Sequence, residues 1–250
     1  MLTSCKLVGS PESISAYHTK EENYYFSQSA GVESLHADGG ACGNHVRIHG
    51  HLAEYLGFAA GSPLSQKEFT NLLAGKDPAG QPITRPHKVH GIDLTFSAPK
   101  SVSLAALLML RDLRIIQAHD RAVLKTMAEI ERHCAGTQPR AGQHEMTGTL
   151  AYVTVRDGFS RDHDPHLHTH VVVANMTAYR GAVLAVDGRR IMTRDFNKLW
   201  GAMYRANLAA HLNELGYSVS YTKKGELRMD AVPLAVEREF SGRRAEIEAA

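Results

Sequence analysis

Three histidines alternate with other residues in Asp164-Pro165-His166-Leu167-His168-Thr169-His170-Val171-Val172-Val173. In an extended chain, side chains two apart share a face. His166, His168 and His170 therefore line one side, with Leu167, Thr169 and Val171 on the other. A single histidine in such a place is ordinarily a core residue. Three in alternation would bury several polar rings without partners, which is costly, whereas two of them can reach one shared metal ion. A second segment, Gly91-Ile92-Asp93-Leu94-Thr95-Phe96-Ser97-Ala98-Pro99-Lys100-Ser101, places Asp93, Thr95 and Ser97 on one face and Leu94 and Phe96 on the core face. Taken alone, Asp93 reads as a surface residue of an edge strand. Beside a metal site it can orient or deprotonate a nucleophile, or accept from the outer nitrogen of a ligating histidine. Lys100 and the helix start near Pro99 offer a cation and unpaired N–H groups to a phosphate.

The third set is the amino-terminal run Ser15-Ala16-Tyr17-His18-Thr19-Lys20-Glu21-Glu22-Asn23-Tyr24-Tyr25-Phe26. Aromatic residues near a helix ordinarily pack against a core. Next to a metal site they acquire a second meaning, because a phenolic oxygen attacks phosphorus well when it is paired with a base. A divalent ion then draws charge from the phosphate as the bond breaks. Tyrosine, imidazoles and carboxylate together make a coherent phosphoryl-transfer set.

These groups need a frame. Val89 to Ser97 alternates as a strand and feeds a periodic segment from Pro99 through Leu110. Arg114 to Cys134 reads as a long amphipathic helix, with Ile115, Ala118, Ala122, Met127 and Ile130 near helical spacing. Glu145 to Val155 and His166 to Met176 are strand candidates joined by a polar turn containing Asp162, Asp164 and Pro165, an arrangement that predicts an antiparallel pair. Short helices are expected over Leu52 to Gly57 and Ser65 to Ala74. A short strand over Ala182 to Val186 precedes a helix from Thr193 to Leu215, stopped by Gly216. A hairpin around Lys223-Lys224-Gly225 joins Tyr217 to Thr222 with Glu226 to Met229, and Glu237 to Ala250 reads as helical. The predicted class is α+β, a mainly antiparallel sheet flanked by helices, in one main domain.

Composition narrows the class further. No stretch approaches the roughly eighteen apolar residues of a membrane span, and the first residues lack the pattern of a signal peptide. A soluble, cytoplasmic protein without membrane insertion is the expectation. Cys5, Cys42 and Cys134 form no CxxC pair, which argues against a disulfide framework or a thiolate zinc site. A net charge of +2 announces no nucleic-acid partner, but Arg180, Arg189, Arg190, Arg194, Lys198 and Arg205 lie close together, followed by Lys223, Lys224, Arg238, Arg243 and Arg244. Solvated faces and a DNA track account for them equally well. Among 15 histidines, the clustering at residues 163 to 170 points to metal more than the total does.

The chain resembles the MobF class of conjugative relaxases within the HUH endonuclease superfamily. The resemblance runs over nearly the whole chain. It rests on the paired aromatics after an N-terminal strand, on Asp93-Leu94-Thr95-Phe96-Ser97-Ala98-Pro99-Lys100-Ser101-Val102-Ser103, on Ala118-His119-Asp120-Arg121-Ala122-Val123 and on Asp164-Pro165-His166-Leu167-His168-Thr169-His170. It implies that Tyr17 attacks the scissile phosphate of single-stranded DNA at a plasmid's origin of transfer, giving a 5′-phosphotyrosyl link and a free 3′-hydroxyl. Tyr24 and Tyr25 would supply a later nucleophile or line the DNA cleft. Asp93 matches the carboxylate near the nucleophile, and His168 and His170 match two of three metal ligands. An HUH palm is implied, with about residues 190–250 of a single 1–250 relaxase domain forming fingers over the DNA. Lys100, Arg161, Arg190, Arg194, Lys223 and Lys224 would meet the backbone, and Trp200, Tyr204, Tyr217 and Tyr221 are stacking candidates, although a tryptophan in a helix of this kind is more often a core anchor. Monomeric action in the bacterial cytoplasm, accessory relaxosome proteins, a coupling ATPase and a helicase region beyond the domain are implied in the same way.

The chain departs from the family pattern twice. Asp157, in Asp157-Gly158-Phe159-Ser160-Arg161, stands where the family has its third ligating histidine. A carboxylate there makes the site harder and predicts Mg²⁺ or Mn²⁺, with His163 and His166 as competing third ligands. The first tyrosine pair is Tyr17-His18, which leaves one nucleophile in it. Two other functions stay open on the residues alone: a metal-dependent phosphodiester hydrolase using water, and a catalytically weakened DNA-binding module.

Overall fold

The computed structural model describes residues 1–19, 46–160 and 164–240. Five strands form one antiparallel sheet in the order β1-β3-β7-β6-β2, comprising β1 (Leu2–Val8), β2 (Val46–His49), β3 (Val89–Ser97), β6 (Tyr152–Phe159) and β7 (Pro165–Ala174). The chain is α+β, as its patterning predicts. β3 is an interior strand between β1 and β7, so Asp93 is not the edge residue that it resembles in isolation. Three two-stranded ribbons complete the strands: β4 (Gly136–Thr137) with β5 (Glu145–Met146), β8 (Thr177–Tyr179) with β9 (Ala182–Leu184), and β10 (Val219–Tyr221) with β11 (Leu227–Met229).

Both faces of the sheet are covered. On one, Leu94 and Phe96 of β3 and Leu167, Val171 and Val173 of β7 join residues of α4 (Lys100–Leu104), α5 (Leu113–Cys134) and α6 (Arg194–Glu214) in the larger core. On the other, Val153 and Val155 of β6 and Val172 and Ala174 of β7 pack with α1 (Pro11–Thr19), α2 (His51–Tyr55) and α3 (Gln66–Leu73). Period-two alternation sorts the side chains between these layers. The same alternation puts the histidines of β7 in the second layer, in line with Val172 and Ala174.

Local signals fix the helix ends. Ser65 and Glu68 form a reciprocal capping box at the start of α3, and the Thr193 hydroxyl accepts from Phe196 N at the start of α6. Gly216, at φ +87°, follows α6 in the left-handed conformation that ends the helix. The periodic segment after Pro99 is not uniform. α4 passes into a π-helical turn over Ala105–Met109, so the register of apolar residues that suggests one helix spans a change of winding. The last helix among the described residues, α7 (Leu234–Glu239), begins before the expected Glu237, and residues 241–250 of the expected helix lie outside the described residues. No helix among the described residues is long and apolar enough to cross a membrane.

Residues 191 to 232 supply Ile191, Phe196, Trp200, Tyr204, Leu208, Leu212, Leu227 and Val232 to the larger core. This region is thus tied to the sheet through α6, which makes extensive contact with α5.

Candidate active site

The site lies on the face of the sheet covered by α1 to α3. Antiparallel pairing places Asp93 opposite Val172, Thr95 opposite His170 and Ser97 opposite His168, while Asp157 of β6 stands opposite His168 from the other side. Three adjacent strands therefore present Asp93, Thr95, Asp157, His168 and His170 to the same layer.

α1 completes the arrangement. His18, only 5% exposed, stacks edge-on against His170 with ring centroids 5.1 Å apart, and also meets Phe69. The Tyr17 ring lies 5.1 Å from that of His18 and is 56% exposed. His168 follows His170 at 5.2 Å, and His166 stacks on His168 at 4.7 Å. A file of five rings thus runs from a solvent-facing phenol into four imidazoles. Position on the fold brings Tyr17 to this file although about 150 residues separate it from His168 in the chain.

Hydrogen bonds orient the imidazoles. His170 Nδ1 lies 2.7 Å from Asp93 Oδ2 and 3.3 Å from Thr95 Oγ1. His168 Nδ1 lies 2.7 Å from the His166 carbonyl. A ring whose Nδ1–H donates to oxygen keeps its Nε2 lone pair free for a ligand. Burial holds His18 and His166 at a pKa of about 4 and lowers that of His168, so these three are neutral at physiological pH. For His18 the nearby Asp93 carboxylate works against this shift, and for His166 the charges of His168 and Lys100 add to it.

The donor set suits a divalent ion in part. Two imidazoles with tethered Nδ1 atoms and a carboxylate across the strand are the right chemistry. Among the described residues, however, no three His, Cys, Asp or Glu side chains already converge as a metal cage. Asp157 Oδ1 instead accepts from Phe159 N at 3.1 Å.

The other expected site residues divide. Lys100 is beside the site: its amine donates to the Pro165 carbonyl at 3.1 Å, and burial lowers its pKa. Arg190, Arg194, Lys223 and Lys224 are exposed, but α6 and the β10–β11 ribbon pack on the opposite face of the sheet from the imidazoles. Tyr24, Tyr25, Arg161 and His163 lie outside the described residues. One stacking candidate, Tyr204, is corrected, and Trp200 takes the core position more usual for it. Tyr204 is fully buried with its hydroxyl 2.7 Å from His119 Nδ1, and Trp200 is 7% exposed in the core, so neither can stack on a base. Their apolar surface is used up between α5 and the sheet. Tyr217 donates its hydroxyl proton to Asp112, and Tyr221 is exposed.

Two contributors stand within the quoted motifs but receive no role from them. His18 reads in sequence as the loss of a tyrosine, yet it is a central member of the ring file; its adjacency to Tyr17 is the only sequence signal. His119 sits on α5 with its rings' nitrogens engaged on both sides, and nothing in the helical periodicity marks it as different from the apolar residues around it.

Residues 12–250 match the family model described as TrwC relaxase. The multifunctional conjugation protein TraI of Escherichia coli is 33% identical over 249 residues, covering 93% of this chain and 13% of the relative. The chain spans 13–14% of the length of the curated TraI relatives that it matches. Two solved structures of the conjugative relaxase TrwC in complex with oriT DNA are similar over the whole chain. The metal-bound structure has 34% identity and a TM-score of 0.80, the copper-bound one 33% and 0.82, and each is covered to 82%.

Proposed function

Because the chain belongs to the TrwC relaxase family, we propose that it nicks one DNA strand at a plasmid origin of transfer and rejoins it through a tyrosine-linked intermediate. The observation that carries this reading is the tethering of His170 to Asp93 on the face where the ring file ends in the exposed Tyr17 phenol. In the proposed step the Tyr17 hydroxyl gives up its proton, which in net terms passes to the leaving oxygen, as its oxygen forms a bond to phosphorus. The bond from phosphorus to the 3′-oxygen breaks, and that oxygen takes a proton to become a free hydroxyl. One phosphodiester replaces another, so the same groups run the reaction backwards to rejoin the strand.

His168 and His170 would hold a divalent metal ion through Nε2, with Asp157 as third donor once it turns from Phe159 N, or with His166 or His163 in its place. When bound, such an ion neutralises charge on the phosphate oxygens as the bond breaks. The carboxylate favours Mg²⁺ or Mn²⁺. Asp93 keeps the His170 ring in one orientation, and Tyr24 or Tyr25 is proposed as the later nucleophile. Exposed Arg190, Arg194, Lys223 and Lys224, with Lys100 and Arg161, would meet backbone phosphates, and Tyr217 and Tyr221 are the remaining stacking candidates. Residues from about 190 onward would act as the DNA-covering subregion. The proposed setting is a monomer in the bacterial cytoplasm, working with accessory relaxosome proteins, a coupling ATPase and a helicase region in the longer protein.

The test is a labelled single-stranded origin oligonucleotide incubated with the protein and Mn²⁺, resolved on a denaturing gel. A protein-linked product that disappears in Y17F is expected. Cleavage persisting in Y17F without any protein-linked product would establish a water-using hydrolase instead, and sequence-specific binding without cleavage or adduct under any divalent ion would establish a binding module.

A further inference from the structure

Behind the imidazole strand, on the opposite face of the sheet, two consecutive residues of α5 reach two different strands. His119 is fully buried, with Nε2 2.8 Å from Thr169 Oγ1 of β7 and Nδ1 2.7 Å from the Tyr204 hydroxyl of α6. Asp120 forms an ion pair with Arg156 of β6. Thr169 and Arg156 are direct cross-strand partners. The next pair along the ladder is Asp157 opposite His168, and beyond it the register shifts at a bulge before Phe159 meets Pro165. The two contacts from α5 therefore fall on the last strand pair before the pair that bears two candidate ligands, and Thr169 lies between His168 and His170.

Resting on the site proposed above, we infer that His119 and Asp120 are positioning residues, clasping β6 to β7 from behind so that Asp157, His168 and His170 are held at the spacing a divalent cation requires. Beyond Asp157 the β6–β7 ladder continues only in a shifted register, so the Arg156–Thr169 and Asp157–His168 pairs close its regular part. Apolar packing at positions 119 and 169 would fill the space but would fix neither strand along its axis, because dispersion contacts are not directional. Hydrogen bonds are, and a buried imidazole tied at both nitrogens admits a single arrangement of its partners. The assignment that satisfies the buried Tyr204 proton has its O–H donating to Nδ1 and the opposite Nε2–H donating to Thr169. Burial keeps His119 neutral, with a pKa well below the usual imidazole value, so it can serve both as acceptor and as donor. α5, 22 residues long and capped by Asp112, is the rigid body against which the two strands are referenced.

The test compares T169V with T169S. Valine keeps the branched shape on the face away from the ligands and removes the hydroxyl; serine keeps the hydroxyl. Mn²⁺ affinity is measured by calorimetry on the folded protein, the Mn²⁺ electron paramagnetic resonance line shape is recorded, and Tm is measured without metal. A positioning role predicts roughly tenfold or more weaker Mn²⁺ binding in T169V, the usual effect of removing a group that orients a ligand, with a broadened spectrum and near-complete recovery in T169S. A lowered Tm in T169V with unchanged Mn²⁺ affinity and spectrum would overturn the inference and leave the clasp purely structural. If T169V does not fold, R156Q against R156K carries the same comparison through the Asp120 arm. The double variant H168A/H170A separates the two levels: if it binds Mn²⁺ as tightly as the unaltered protein, the proposed metal site itself is wrong, whereas loss of binding there with none in T169V refutes the clasp alone.

Discussion

Asp93 Oδ2 and His170 Nδ1 stand 2.7 Å apart across the β3–β7 boundary, with Asp93 only 6% exposed. A buried carboxylate is stable only where it is paired or hydrogen-bonded, and here its partner is an imidazole of the ring file. A carboxylate at hydrogen-bond distance from Nδ1 restrains the orientation of the His170 ring.

That geometry makes D93N informative. Asparagine keeps the size and one acceptor oxygen but loses the charge that restrains the ring. About tenfold to a hundredfold weaker Mn²⁺ binding is expected, with a parallel loss of covalent adduct on the origin oligonucleotide. Calorimetry and the denaturing gel read the two effects separately. Unchanged metal affinity in D93N would leave Asp93 without a role in orienting His170.

Asp157 should set the preference among ions. D157H replaces a hard oxygen donor by a third imidazole opposite His168, which favours softer ions such as Cu²⁺ and Zn²⁺ over Mg²⁺ and Mn²⁺. Competition calorimetry should show the ratio of Cu²⁺ to Mn²⁺ affinity rising by about an order of magnitude or more. An unaltered ratio would point to His166 or His163 as the third donor.

Stability should fall in mild acid. Burial depresses the pKa of His18, His49 and His166 to about 4, and lowers those of His168 and His119. Between those values and about 6.5, the unfolded chain binds protons that the folded chain refuses, so unfolding free energy rises with pH across that window. The contribution is complete above about pH 6.5 and is lost as pH falls towards 4. Thermal denaturation in metal-free buffer should give a Tm several degrees lower at pH 5 than at pH 7.5, and a flat profile would show that the imidazoles are hydrated in the folded protein.

Glu131 should be a large stability determinant outside the site. This carboxylate, 3% exposed on α5, accepts from His51 N at 2.9 Å and Leu150 N at 2.6 Å and pairs with His51 Nδ1 at 3.0 Å. It joins the start of α2 to the approach of β6. E131A would strand two N–H donors and should cost about 2–4 kcal/mol, while E131Q, which keeps an acceptor, should cost roughly half as much. Urea denaturation should show a lower midpoint with an unchanged m-value.

Sequence by itself determined the strands and helices that carry the chemistry. Alternation in Val89 to Ser97 and in His166 to Val173 assigns each side chain to a face, because a strand repeats every two residues whatever surrounds it. The same local rules locate α5, α6 and the Gly216 stop. Tertiary structure alone decided which faces meet. It made β3 an interior strand, so that Asp93 changes from a surface residue to a buried partner of His170. It buried Tyr204 and Trp200, which as isolated aromatics are equally good at stacking on bases. It brought His18 against His170 and placed His119 and Asp120 behind the strand that carries His168 and His170. Local periodicity contains no information on contacts between residues tens of positions apart, since those follow from strand order and from how helices close over the sheet. The family and the fold class of this protein were therefore legible in its residue types and spacings, and the geometry of its candidate site only in the fold.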